Sequence, residues 1–570
     1  MQAALKLSEI KECEMARQIL CSLYGEKTGL ETLDNLLSLM DSFKGKISQQ
    51  PFTPSEKDCM LITYADSVLR DKEIPLQTLR SFLKNELGSL TNAVHILPFY
   101  PWSSDYGFSV KDYETVNPEW GTWEDVHALS RDFDLMFDAV INHMSAQSNW
   151  FQSYLKGDPE FQDFFVEADP SLDYSKVVRP RALPLLTKYE TANGEKWIWT
   201  TFSADQIDLN YQSPKLLLTI IKILLDYAAH GATYVRLDAI GFLWKELGTN
   251  CMHLPQTHDV IRLMRIVLNE VAPRVQMITE TNVPHEENIS YFGNGQDEAQ
   301  CVYNFSLPPL TAHAILRENA ETLTRWAASL ALPGDQVTFF NFLASHDGIG
   351  MRPLQGILPQ EEIQFLCETT LSRKGEISYK DNGDGTHSPY ELNCTYMDLL
   401  NPLDENDATR ARRHLLAHAI MLSMPGIPGI YIHSVLGSRN YVRGIEETGS
   451  KRAINRENLD YDKTASELHA EGTLRNIVFQ GMQKLIGTRT AENSFSPRAA
   501  FNVLNLDKRL FVIARKHPEN DYSVYAVHNV SSTPVSVTLP HAASEELLSG
   551  AFVPGCNQTI PAYSAAWFKC

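Results

Sequence analysis

The sequence predicts an α/β protein built on a (β/α)8 barrel, with two inserted loop domains and a small antiparallel β domain at its C-terminal end. Three observations predict it. Eight short apolar runs recur between residues 61 and 434, each followed by a helical segment. Two intervals between runs are too long for simple crossovers. After about residue 490 the helical pattern gives way to strands and turns.

Residues 1–56 read as a helical extension. LETLDNLLSLMDSF (30–43) spaces its apolar residues by three and four, and PFTPSEKD then breaks the pattern with two prolines. The eight runs are LITYAD (61–66), AVHILPF (93–99), LMFDAVIN (135–142), TYVRLDA (233–239), VQMITET (275–281), CVYNFSL (301–307), TFFNFLASH (338–346) and GIPGIYIHS (426–434). They are continuous rather than alternating, as strands covered on both faces are. A doubly wound sheet is the architectural alternative. The first three strands fall in 57–143, strands four to seven in 211–347, and the eighth with closing helices in 411–490. The long intervals 144–210 and 348–410 follow strands three and seven and would stand over the barrel mouth. LFVIARKH, SVYAVHNV and VSVTL mark the β domain of 491–570.

The 570 residues hold 50 Lys and Arg against 70 Asp and Glu, a net charge of −20. Nucleic acid and acidic membranes would be repelled by most of this surface, so neither is expected as a partner. Nine scattered cysteines without a CxxC pair speak against a zinc ribbon or a disulfide framework. The polar N-terminus lacks a signal-peptide core, and the greasiest stretch, Leu216 to Ala229, is broken by Lys222 and Asp226. The expectation is a cytoplasmic protein, a monomer or a homodimer.

Four polar clusters end four of the runs. FDAVINH carries Asn142 and His143, GATYVRLDA carries Arg236 and Asp238, ITETN carries Glu280, and ASHDG carries His346 and Asp347. One Asp after a strand is ordinarily a cap or a turn residue. Four clusters in order would all point into one mouth. Three carboxylates there suit glycosyl transfer: one attacks the sugar carbon while a protonated second donates to the leaving oxygen. Arg236, two residues before Asp238 on a strand, faces the same side and is expected to keep Asp238 ionised as nucleophile. Glu280, raised by burial and like charge, would serve as acid and then base.

The order of these motifs resembles the four signature regions of the α-amylase family of glycoside hydrolases. The resemblance implies Asp238 as nucleophile, Glu280 as acid/base and Asp347 as a third carboxylate gripping sugar hydroxyls, with Asn142, His143, Arg236 and His346 in support. YPWSSDYGFSVKDYETVNPEWGTWEDV is similar to a loop of the sucrose phosphorylase subfamily, which implies Asp105 and Phe108 as glucose contacts. SKRAINREN likewise implies Arg452 on the glucose. RPRALPLLT resembles the segment whose second arginine, Arg181, meets phosphate, and SPYELNCTY the mobile acceptor loop, with Tyr390 and Asn393. Glu391 replaces the subfamily's glutamine, which puts direct fructose recognition in question. LITYAD, VHILPFYPWSSD, YVRLDA, TETNVPH, NFLASHDGIG and GSRN together look like the bacterial 1,2-α-glucosylglycerate phosphorylases. That likeness implies phosphorolysis of 2-O-α-glucosyl-D-glycerate to glucose 1-phosphate and glycerate, with inorganic phosphate as co-substrate and no cofactor; the alternatives are the same chemistry on sucrose, sucrose 6′-phosphate or glucosylglycerol, and α-glucoside hydrolysis or transglycosylation.

Lesser signals complete the reading. Arg179 and Arg181 form the main basic feature, stiffened by Pro180 and Pro184. Asn282 and His285 follow Glu280 closely enough to contact an acceptor carboxylate, although a turn role competes. DNGDGTH (381–387) lacks calcium-loop spacing and reads as a turn. Amylases hold calcium through the Asn of the first motif, but the phosphorylase subfamily does not, so no metal is expected. Trp197, Trp199 and Trp244 default to packing.

Overall fold

The computed structural model describes residues 7–570 except Ser89, Ala182, Gly383 and Asp384, two of which lie within DNGDGTH. Eight parallel strands close into a barrel in chain order: β1 (Met60–Thr63), β2 (Ala93–Ile96), β3 (Asp134–Ala139), β4 (Ala232–Leu237), β5 (Gln276–Thr279), β6 (Cys301–Tyr303), β7 (Thr338–Phe342) and β8 (Ile427–Tyr431), with β8 returning to pair with β1. The closed barrel excludes the doubly wound alternative. All eight strands lie within or overlap the apolar runs, and almost every strand residue is buried, because helices cover one face and the packed lumen the other.

The interval after β3 holds a short ladder, His143–Ser145 against Gln206–Asp208, and a three-stranded sheet of Glu167–Ala168, Gly194–Trp199 and Leu186–Thr191. The interval after β7 holds a second such sheet, Ile349–Gly350, His387–Asn393 and Glu376–Asp381. Both open from strand C-termini, so both wall the barrel mouth. Six antiparallel strands form the C-terminal sheet: β9 (Phe501–Leu504), β10 (Leu510–Lys516), β11 (Ser523–Asn529), β12 (Val535–Glu546), β13 (Ala551–Ile560) and β14 (Ser564–Lys569). Trp567 on β14 is fully buried and packs on Phe495.

The N-terminal extension forms two helices, α1 (Leu7–Tyr24) and α2 (Glu26–Ser42), that lean on the barrel helices Pro255–Val271 and Pro214–Ala229. A side chain at Gly29 would come within 2.7 Å of the Cys21 backbone, so glycine permits the close crossing of the pair. Tyr24 Oη donates to the Tyr211 carbonyl at 2.9 Å, tying the extension to the chain end of the first insertion.

The barrel floor is held by a cation. The guanidinium of Arg489 is fully buried and donates to the carbonyls of Glu56, Asp58, Leu422, Gly426 and Phe495 at 2.5–3.4 Å. These carbonyls precede β1, precede β8 and enter the C-terminal domain, so one side chain joins both ends of the barrel. Arg489→Met keeps the volume but strands several buried acceptors. It is expected to cost about 3–4 kcal/mol in urea unfolding while turnover per folded molecule stays near normal.

Candidate active site

The clusters named above come together at the C-terminal ends of β3, β4, β5 and β7. Asp238 follows β4 directly, and its N–H donates to the Ala139 carbonyl at the end of β3 (3.2 Å). Ala239 then turns into the left-handed region (φ 49°), which aims its N–H at Glu280 Oε2, 3.2 Å away. Glu280, one residue past β5, is fastened in turn by its own N–H to the Leu237 carbonyl at 3.1 Å. The backbone therefore brings the two carboxylates together across adjacent strands, and both line one cavity.

A single guanidinium serves both. Arg236 Nη1 lies 2.9 Å from Asp238 Oδ1 and Nη2 lies 3.7 Å from Glu280 Oε2. Nη1 is also shared with Asp138, which accepts from His95 at 2.6 Å. Burial raises both Asp238 and Glu280 above the usual carboxylate range; Arg236 opposes this, and neighbouring carboxylates add to it. Arg236 by itself thus does not hold Asp238 at an ordinary value, contrary to the expectation from sequence. The pair behaves as one acid, and Arg236 Nη1 stands closer to Asp238 than Nη2 does to Glu280.

Asp347 is the opposite case. Burial works to raise it, but Arg452 (2.7 Å), His346 (3.3 Å) and Arg456 (3.9 Å) hold it below the usual range. Arg452 also grips Glu391 with two bonds, 3.1 and 2.6 Å. Gly348 lets the Glu391 hairpin approach, since a side chain there would meet Glu391 Cβ at 2.7 Å. Phe108 stacks flat on His346 (centroids 4.7 Å, 3°) and borders the cavity. Asp105 and Tyr106 both hold positive φ (54° and 52°), a strained presentation for residues other than glycine. Arg181 (2.8 Å) and Gln206 (3.3 Å) fasten Asp105 there. Burial pulls His143 down to about 4, so it is neutral at pH 7.

The cavity is bordered by Asp105, Phe108, His143, Arg181, Asp238, Asn282, Glu280, His346, Asp347, Tyr390 and Arg452, all named from sequence. Others are placed elsewhere. Asn142 is fully buried behind the wall, where its Oδ1 accepts from Lys245 Nζ at 3.1 Å. The same ammonium lies 2.7 Å from Asp208, so a lysine supplies the positive charge between these two side chains. Asn393 stays out of the cavity and donates to Ser378 Oγ at 2.9 Å, holding the hairpin. His285 packs near Phe339 and Trp326 and does not reach the cavity, because the chain turns into the helix His285–Ile289 away from the mouth. Arg179 likewise does not border it. Arg236 acts from beneath the carboxylates. Trp197, Trp199 and Trp244 line no part of the cavity. Sequence reasoning missed Gln206, Phe202, Phe305 and Arg352 in the wall; Phe305 lies in the sixth apolar run without marking itself as a site residue, and the other three sit in no motif, so that only chain folding carries them there.

Residues 82–348 match the family model described as the α-amylase catalytic domain. The chain is 47% identical to the glucosylglycerate phosphorylase of Spirochaeta thermophila over 90% of this chain and 89% of that protein. It is 46% identical to the glucosylglycerate phosphorylase of Escherichia coli, over 96% and 98%. The chain belongs to the α-amylase family. Within it, the nearly full-length likeness sets the chain beside the disaccharide phosphorylases. The structure also matches the crystal structure of sucrose 6F-phosphate phosphorylase from Thermoanaerobacter thermosaccharolyticum, with TM-score 0.74 over 89% of this chain and all of that one, at 23% identity. That match speaks to the shared fold. Among the described residues no helix is long and apolar enough to cross a membrane.

Proposed function

We propose that this enzyme is a retaining phosphorylase of 2-O-α-D-glucosyl-D-glycerate. The observation that carries the reading is the pair Asp238 and Glu280, bridged by Arg236 in one cavity beside a fully ionised Asp347. Likeness to glucosylglycerate phosphorylases over nearly the whole chain supports the substrate.

In the first displacement Asp238 Oδ bonds to the anomeric carbon. The bond from that carbon to the glycerate oxygen breaks, and the Glu280 proton passes to the departing oxygen. In the second, a phosphate oxygen attacks the same carbon and the ester to Asp238 breaks, while Glu280 takes up a phosphate proton. Two inversions leave α-glucose 1-phosphate. Asp347, Asp105 and Arg452 hold glucose hydroxyls at the closed end, with Phe108 and His346 as an apolar wall. Arg181 and Tyr390 border the outer part of the cavity, where phosphate enters. No redox step or activated cofactor is needed, because proton donation alone activates the leaving group.

The test is a panel of α-glucosides incubated with inorganic phosphate: glucosylglycerate, sucrose, sucrose 6′-phosphate and glucosylglycerol. Glucose 1-phosphate is expected to form fastest from glucosylglycerate, and free glucose only slowly. A preference for sucrose refutes the substrate, and rapid release of glucose without phosphate refutes phosphorolysis.

A further inference from the structure

The three arginines that border the active cavity differ in one respect. Arg181 is paired with Asp105, and Arg452 with Asp347 and Glu391. Arg352 has no carboxylate within 4.0 Å among the described residues, and its Nε is buried with no hydrogen-bond partner. In a chain of net charge −20, a half-buried guanidinium in the cavity wall with no carboxylate partner is free to meet an anion.

Its neighbours place that site. Arg352 starts a short helical turn, Arg352–Leu354, just beyond the Ile349–Gly350 strand. Gly350 packs directly on Asn282: a side chain there would fall 2.5 Å from Asn282 Oδ1. Asn282 is two residues past Glu280, lines the same cavity, and keeps that buried Oδ1 unpartnered. The Gly350–Asn282 contact therefore ties the turn that carries Arg352 to the segment that follows the acid/base, and both side chains line the same cavity. The acid/base side of that cavity must hold the leaving group, because Glu280 has to reach the glycosidic oxygen. Positive charge is not confined to Arg352: Lys380 stands close enough that, after burial, the Arg352 charge helps to lower its pKa.

We propose that Arg352, with the Asn282 amide beside it, binds the carboxylate of the acceptor. The inference rests on the glucosylglycerate reading and deepens it. In glycerate the carboxylate is attached to the carbon that bears the glycosidic oxygen, so it lies within a few bonds of the proton that Glu280 delivers. A planar guanidinium matches a carboxylate with two parallel bonds, and the asparagine can meet the remaining oxygen or the terminal hydroxyl. The same site also discriminates. Without an anion to pair, Arg352 would stay desolvated in the complex, which penalises neutral acceptors.

The experiment compares the parent enzyme with Arg352→Ala and Arg352→Lys in glucosyl transfer from glucose 1-phosphate. The acceptors are D-glycerate and glycerol, which share a three-carbon frame and differ in the charge. In Arg352→Ala, kcat/KM for D-glycerate is expected to fall about 30-fold further than kcat/KM for glycerol, the scale of a charged hydrogen-bonded contact. Arg352→Lys is expected to recover part of that gap by keeping the charge without the fork. Equal losses with both acceptors overturn the assignment. So does a loss confined to the phosphate KM in phosphorolysis, which makes Arg352 a phosphate ligand. A parent enzyme that does not glucosylate D-glycerate overturns the substrate reading and this one together, whereas normal parent activity with an unchanged acceptor ratio overturns only Arg352.

Discussion

Asp238→Asn is expected to remove turnover of glucosylglycerate, lowering kcat by a factor on the order of 10⁴ to 10⁶, while leaving the protein at least as stable as before. The loss follows from chemistry: an amide oxygen is too weak a nucleophile to form the glucosyl ester, and no second carboxylate occupies its place. The stability follows from electrostatics. Burial, with Glu280, Asp138 and Asp347 close by, raises Asp238 above its unfolded value near ~3.9 despite Arg236. The native pair of Asp238 and Glu280 therefore holds its shared proton more tightly than the unfolded chain does. Stability is lost as pH climbs above the unfolded value, until the native group has ionised too. Asparagine lacks that penalty, so its advantage in urea melts is expected to be larger at pH 8 than at pH 5. Turnover within tenfold of the parent enzyme would remove Asp238 as nucleophile.

Glu280→Gln is expected to slow glucosylglycerate phosphorolysis by about 10²- to 10⁴-fold. Glycerate leaves as an alkoxide unless a proton reaches its oxygen, and glutamine has none to give. Glucosyl fluoride, whose leaving group needs little protonation, is expected to lose far less. Azide, which needs no base, is expected to intercept the ester and give α-glucosyl azide. The pH profile adds a sign. Burial raises Glu280, so the parent enzyme holds its acid form toward neutral pH and loses forward rate as pH rises through the shifted value. That alkaline limb is expected to disappear in the variant with glucosyl fluoride. An equal slowing of both donors, with no azide product, would assign Glu280 a structural role instead.

The parts of this protein that were legible in its sequence are those written in local patterns. The runs that became β1 to β8 are visible because a strand covered on both faces must be apolar at every position. Asp238, Glu280 and Asp347 were legible because each ends such a run, and barrel geometry brings all strand ends to one mouth. His285 and Asn393 show the limit. Both lie next to motif residues, yet a helix start turns one toward Phe339 and strand pairing turns the other toward Ser378. Arg352 shows the converse, since no motif surrounds it and the β7 insertion alone carries it into the wall.

Sequence alone therefore determined the architecture and which three acidic residues meet at the barrel mouth, because periodicity and residue type are properties of the chain. Tertiary structure alone decided which charges are spent and which are free. Arg236 divides itself between Asp238 and Glu280, Arg452 is consumed by Asp347 and Glu391, and Arg352 is left open. Ion pairing and desolvation depend on distances of a few ångströms between residues far apart in the chain, and only the folded molecule sets those distances.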